Sequence, residues 1–237
     1  MPFLHGSQAR VYANGYDLSP YFSSISTSGE SDTAETSTLG ATAKTYIPGL
    51  RDATLSAEGY FDGEANAVDE ALSTALGQDA SVWTVLPQGD VIGSYGYGLS
   101  AILTSYEVNS PVDGVVDCSA EAQSKVGRER GIVLHVLAAR NSSSNAASQN
   151  NSAASTNGGA AYLQVMGQTG SASNSTVKVQ HSVDNSVWTD LVTFTVFNGR
   201  TAERRAITGT INQYTRASWT PAAGATITFA VLLSRAA

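Results

Sequence analysis

Three histidines, one cysteine and twenty carboxylates are the side chains in this 237-residue chain with the chemistry to ligate a metal or move a proton. His5, His135 and His181 lie far apart in sequence, and none has a second ligand type beside it at metal-binding spacing. The patterns H-E-x-x-H, C-x-x-C and G-x-x-x-x-G-K-[ST] do not occur. Cys118 stands alone, so no internal disulfide or thiolate cluster can form; a small buried hydrophobe in a strand over 115–120 and folding in a reducing compartment are expected. Gly93-Ser94-Tyr95-Gly96-Tyr97-Gly98 is glycine-rich but matches neither a dinucleotide fingerprint nor a nucleophile elbow, and reads as a turning loop between strands. Among so many acids some pair, such as Glu58 with Asp62, falls near glycosidase separation by chance. No catalytic residue, metal ligand or cofactor is expected, and an enzyme is the third-ranked class.

Four aromatics of the second half, Tyr162, Trp188, Tyr214 and Trp219, are the material for a sugar-stacking platform. Positions 214 and 219 are five apart, so on an unbroken strand their rings point to opposite faces. One then packs into a core and the other caps a surface. Trp188, Tyr214, Arg216 and Trp219 are retained as a candidate outer binding surface for carbohydrate or a host surface. Asn141, Asn150 and Asn174 open N-x-[ST] triplets, read as accidents of a Ser/Asn-rich composition.

Charge divides the chain. Residues 1–140 hold 17 acidic and 7 basic side chains and residues 141–237 hold 3 and 6, within a net charge of −7. A nucleic-acid binder clusters Lys and Arg where phosphates sit, and the larger part does the reverse. With 42% apolar residues the chain can build real cores. No run reaches the roughly 20 apolar residues of a membrane helix, and MPFLHGSQAR has neither the charged nor the apolar region of a secretory leader. Membrane insertion is not expected.

These side chains need elements to carry them, and the pattern predicts a mainly β protein. Asn14-Gly15 fits a two-residue hairpin turn. Residues 26–44, with Leu39 the only large apolar side chain, read as a long polar loop, and 47–50 (Ile-Pro-Gly-Leu) as an apolar turn. Residues 54–62 alternate, with Leu55, Ala57, Gly59 and Phe61 on one face and Glu58 on the other. A helix is expected from Asp62 and Gly63 through Leu76, ended by Gly77. Strands follow at 81–86, 101–108 and 115–120. Residues 140–158 contain no large apolar side chain and read as a linker. After it come strands at 162–165, 176–182, 191–197, 206–211, 214–220 and 226–233. The expected organisation is a first domain over 1–139, a linker over 140–158 and a small antiparallel β-sandwich over 159–237.

Asp17-Leu18-Ser19, the polar loop, the run Lys44-Thr45-Tyr46-Ile47-Pro48-Gly49-Leu50-Arg51-Asp52-Ala53-Thr54 and Gly59-Tyr60-Phe61-Asp62-Gly63 resemble the major tail tube proteins of bacteriophages with long, non-contractile tails, over roughly residues 8–130. Residues 177–182, Trp188 and 214–219 resemble sandwich domains appended to phage tail proteins. The resemblance implies a tail-tube-type β-sandwich or barrel with one flanking helix. It implies homo-hexameric rings stacked into a tube in the virion tail, assembled in the host cytoplasm. Tape measure and tail terminator or tip proteins would be its partners, and genome DNA would pass without specific binding. Glu30, Asp32, Glu35, Leu39, Tyr46, Ile47, Pro48 and Leu50 are then the expected ring-stacking contacts, with the loop over 26–44 ordering between rings. Glu58 is the expected lumen-facing acid of an acidic bore, with the mildly basic second domain outside. The plainer alternative is that the acids only keep an abundant protein soluble.

Overall fold

A computed structural model describes residues 5–236; the first four residues of the stretch read for a leader lie outside it. β1 (Arg10–Ala13) and β2 (Tyr16–Asp17) form the expected hairpin, with Asn14 at φ 50° and Gly15 at φ 80°. β3 (Phe22–Thr27) precedes a two-stranded ribbon of β4 (Glu30–Glu35) and β5 (Tyr46–Asp52), and β6 (Thr54–Tyr60) returns beside β3. Next come α1 (Val68–Ala75), β7 (Ser81–Leu86), β8 (Tyr95–Asn109), β9 (Asp117–Ser124) and β10 (Glu129–Arg140). The short β11 (Ser144–Asn145) and β12 (Gln149–Asn150) lead to β13 (Gly159–Thr169), β14 (Thr176–Ser182) and β15 (Thr189–Thr193). β16 (Thr201–Ile207), β17 (Tyr214–Thr220) and β18 (Thr226–Arg235) complete the chain. The protein is mainly β, its strands pairing antiparallel, with one α-helix among the described residues.

One large sheet runs through both halves in the order β16-β13-β18-β10-β8-β7-β1-β2, with β9, β6 and β3 continuing from β8. β10 is the joint. Its first residues pair with β8 (Glu129 opposite Gly98) and the rest with β18 (Gly131 opposite Ser234, through to Arg140 opposite Ile227). A first core, with Leu18, Leu55, Leu72, Trp83, Leu99 and Leu103, lies under α1. A second, with Val177, Val179, Phe194, Trp219, Phe229 and Leu134, lies between the large sheet and a five-stranded sheet ordered β11-β17-β14-β15, with β12 also on β17. A third, including Tyr12, Val82, Tyr162 and Leu232, fills the seam between the halves.

Polar groups close that seam. The buried Gln164 amide accepts from Gly15 N (2.8 Å) and donates to Val82 O (2.8 Å), pinning β13 to the hairpin turn and β7. Arg204 forks onto Glu129 with two 2.7 Å bonds, and Tyr162 also donates to that carboxylate. Arg200 lies 3.8 Å over the Tyr16 ring and donates to Asn66 Oδ1 (2.6 Å), ahead of α1.

Several elements differ from expectation. The helix begins at Val68, not at 62–63, because Asp62 Oδ1 accepts the Glu64 N–H and Glu64 O the Ala67 N–H, so the intervening residues turn locally. Leu76 is not part of its buried stripe but the half-exposed C-cap; Gly77 follows at φ 73°. Residues 26–44 are not one loop: 26–27 end β3, 30–35 form β4, and only 36–45 connect the ribbon's strands. Residues 47–50 are not a turn but the middle of β5; Pro48 is accommodated beside a register shift between Ser31 and Thr33. Residues 95–98 are strand, not loop: a side chain at Gly98 would overlap the Tyr162 ring and one at Gly96 would overlap Leu86. Within 140–158, Ser144 and Asn145 pair with Trp219 and Ser218, and Gln149 and Asn150 with Thr215 and Tyr214, so this segment lies along β17 rather than hanging free.

Candidate functional site

The β4–β5 ribbon leaves the sheet where β3 ends and β6 begins, and every residue of its two strands is exposed. It carries all eight residues expected at a subunit contact: Glu30, Asp32 and Glu35 on β4, Leu39 in the connecting loop, and Tyr46, Ile47, Pro48 and Leu50 on β5. Glu35 is paired with Lys44 at 3.0 Å, an exposed bridge of little worth. Leu50 is 81% exposed and Tyr46 and Ile47 are 53% exposed. A two-stranded ribbon with no core of its own is marginal in water, and the described residues leave these apolar side chains uncovered.

The far end of the same sheet is also apolar. At the β8–β9 tip Val108, Val112 and Val115 are exposed, beside Tyr60 and Phe61 at the end of β6, whose Phe61 N–H donates to Val116 O (3.1 Å). The seven residues of β6 separate this tip from the ribbon by about 20 Å at the usual strand rise.

Between the two ends the sheet shows solvent an acidic face. β6 alternates strictly, with Leu55, Ala57 and Gly59 buried and Ser56, Glu58 and Tyr60 exposed. Glu58 lies opposite Ser119, which lies opposite Glu107; Ser56 lies opposite Glu121, which lies opposite Ser105; Tyr60 lies opposite Asp117, which lies opposite Asn109. The four carboxylates form a checkerboard in which none is the direct cross-strand partner of another, which avoids the like-charge penalty of a facing pair. No Lys or Arg occupies these nine positions. Of these acids only Glu58 was singled out from sequence. Asp117, Ser119 and Glu121 alternating with Cys118, Ala120 and Ala122 carried the same period-2 signal, but the partnership of three strands is a tertiary fact.

The outer aromatic set divides. Trp219 is buried, edge-on to His135 (4.7 Å) and Phe229 (5.7 Å), its Nε1 donating to Ser142 O (3.0 Å). It does not belong to any outer surface. Arg216 lies 4.0 Å over the Trp188 ring and donates to Gln180 Oε1 (2.9 Å); Gln180 in turn donates to Asp190 (2.9 Å), which also takes Lys178. Tyr214 is on the same face of β17 as Arg216. Three of the four residues are thus brought to one sheet face.

The histidines and the cysteine sit apart. His5 Nδ1 accepts from Ser7 N (3.1 Å), His181 Nδ1 accepts from Asn212 N (3.2 Å), and His135 is buried against Phe229. Cys118 is buried, and its thiol is pushed up, by burial first and then by Asp117. Among the described residues no three His, Cys, Asp or Glu side chains gather at metal-binding distance.

No protein-family model matches the chain, and no curated protein does. Among solved structures it is similar to a chain of the virion of a native gene transfer agent particle, at 13% identity and TM-score 0.46, over 54% of this chain and 98% of that one. It is similar to a chain of the SPP1 tail tube at 14% identity and TM-score 0.44, over 54% of this chain and 78% of that one. It is also similar to the SPP1 Dit protein, described as a hub of the adsorption apparatus in phages infecting Gram-positive bacteria, at 11% identity and TM-score 0.38, over 95% of this chain and 98% of that one.

Proposed function

We propose that this chain is a structural subunit of a phage tail, polymerising as stacked hexameric rings into the hollow tube through which DNA is ejected. The observation that carries the reading is the fully exposed β4–β5 ribbon, whose apolar side chains are left uncovered by the described residues. Full burial of a side chain the size of Leu50 or Ile47 is worth about 1.5–3 kcal/mol, enough across three such residues for a second copy to be the natural cover. Ribbon and apolar β8–β9 tip lie at opposite ends of one sheet, which suits a heterologous head-to-tail contact that does not close on itself. Among the described residues β3 pairs with β6 alone and no strand covers its other edge, which offers a lateral join for a ring.

In this arrangement the checkerboard of Glu58, Glu107, Asp117 and Glu121 lines the bore. Fixed carboxylates repel a phosphate backbone within a Debye length of about 8–10 Å, so DNA and the tape measure protein pass without DNA being held. Residues 1–139 build the tube and residues 159–237 stand outside it. Terminator or tip proteins cap the ends, and the subunit acts in the virion after assembly in the host cytoplasm. No catalytic step is assigned to it. The ladder of Trp188, Arg216, Gln180 and Asp190 favours a second reading, in which the outer face adheres to host carbohydrate; glycan-array binding by the intact chain supports it and silence there removes it.

The ribbon is the place to test the first reading. Ile47→Asp with Leu50→Asp should leave the thermal midpoint of the free subunit within about 2 °C, since neither side chain is buried. The same pair should abolish sedimenting polymer. Polymer forming at an unchanged critical concentration would rule the ribbon out.

A further inference from the structure

At the seam, Gly131 of β10 lies opposite Ser234 of β18, and one step along this antiparallel register Arg130 stands across from Arg235. Residues directly opposite share a face, and like charges there repel. Among the described residues neither guanidinium has an ion-pair partner, since the ion pairs there use other arginines and lysines. Arg130 Cζ lies over the Tyr95 ring, 3.6 Å from its centroid. Arg235 donates to the carbonyls of Asn151 (3.2 Å) and Ala153 (2.6 Å), while its Nε is buried without a hydrogen-bond partner. Burial holds its pKa below the ordinary arginine value.

Both arginines line a pocket of about 310 Å³. One wall is the Ser/Asn-rich segment, which brings Gln149, Asn150 and Ser152 to the pocket, and Ile132 and Leu233 of the strands line it as well. That segment is held in place, since Asn150 Oδ1 accepts from Ser152 N (2.9 Å) and Gln213 Nε2 (3.0 Å), and Asn151 Nδ2 donates to Gln213 O (3.0 Å). Two guanidinium groups from opposed strand positions, carboxamides, a hydroxyl and one aromatic ring line a polar pocket at the small end of ligand-site sizes. The planar fork of arginine matches the oxygens of carboxylate and phosphate.

We propose that this pocket binds a small oxyanion ligand, a phosphate ester or a carboxylated sugar, between Arg130 and Arg235. The anion supplies a counter-charge that no described residue gives these two arginines, and the amides of Gln149 and Asn150 meet the polar remainder of the ligand. The site is built by one subunit and does not depend on polymerisation.

Calorimetric titration of the full chain at constant ionic strength tests it, with inorganic phosphate, glucuronate and glucose as separate probes. Phosphate, glucuronate or both should bind saturably, in about the millimolar range typical of a few charge-assisted bonds, and glucose should not. Arg130→Gln should weaken that binding about tenfold or more; because Arg130 is exposed, its thermal midpoint should match the parent's. Arg205→Gln, on an arginine outside the pocket, should change nothing. Phosphate alone binding identifies a phosphorylated ligand, and glucuronate alone a carboxylated one. The proposal falls if neither anion gives a saturable signal, or if Arg130→Gln binds as the parent does.

Discussion

His135 has its tautomer set by its neighbours. Nδ1 must donate to Phe229 O (3.2 Å), because Nε2 accepts from Arg140 Nε (3.0 Å). A second proton would be buried and would face the Arg140 guanidinium, and these two causes, burial first, hold the pKa at about 4 against an ordinary 6.5. Between those values the unfolded chain binds a proton that the folded chain refuses, so stability falls as pH drops from 6.5 to 4, by up to about 3 kcal/mol. Asp90 works the other way: burial raises its carboxyl, the folded state keeps that proton more firmly, and acidification through its pKa adds stability. Denaturant melts of His135→Gln and the parent across this range should show a flatter profile for the variant; parallel profiles would refute the assignment. Gln164 is the other residue whose replacement is informative. Leucine there strands the buried Gly15 N–H, while the Val82 carbonyl keeps the Asn14 N–H (3.0 Å), at a cost of about 1–3 kcal/mol in a denaturant melt, and a loss under about 0.5 kcal/mol would mean that the seam does not rely on it.

Elements were legible in proportion to how local their causes are. The β1–β2 turn rests on two adjacent residues that tolerate positive φ, and β14 and β17 rest on apolar alternation and flanking turns; all three stand where the pattern placed them. The ribbon was hidden because Glu-Ser-Asp-Thr-Ala-Glu has no apolar face to betray a strand, and β5 has its proline and glycine in mid-strand. The start of β8 was hidden because Gly98 answers to the ring of Tyr162, a side chain distant in sequence. The same holds for β11 and β12, whose partners on β17 lie some sixty to eighty positions later. The eight residues expected at the ring-stacking contact fall together on β4, β5 and the loop between them. Trp219 was misassigned as a surface residue, since a strand's alternation says that two rings part company but not which one meets the core.

At the scale of the molecule, the two halves share strands as well as a boundary. β10 is hydrogen-bonded to β8 on one side and β18 on the other, and its Leu134 and His135 sit in the core of the second half. A sheet continuous through both halves ties the second half firmly to the acidic half, as a subunit that keeps its orientation in the proposed polymer requires. The apolar ends of the acidic sheet and its free β3 edge are liabilities for a molecule that stays single, and become contacts for one that repeats. Negative-stain electron microscopy of the purified full chain at increasing concentration decides between these. Hollow, open-ended filaments built of stacked rings are the predicted result; separate single-subunit particles at every concentration, with no ring or filament, would contradict it.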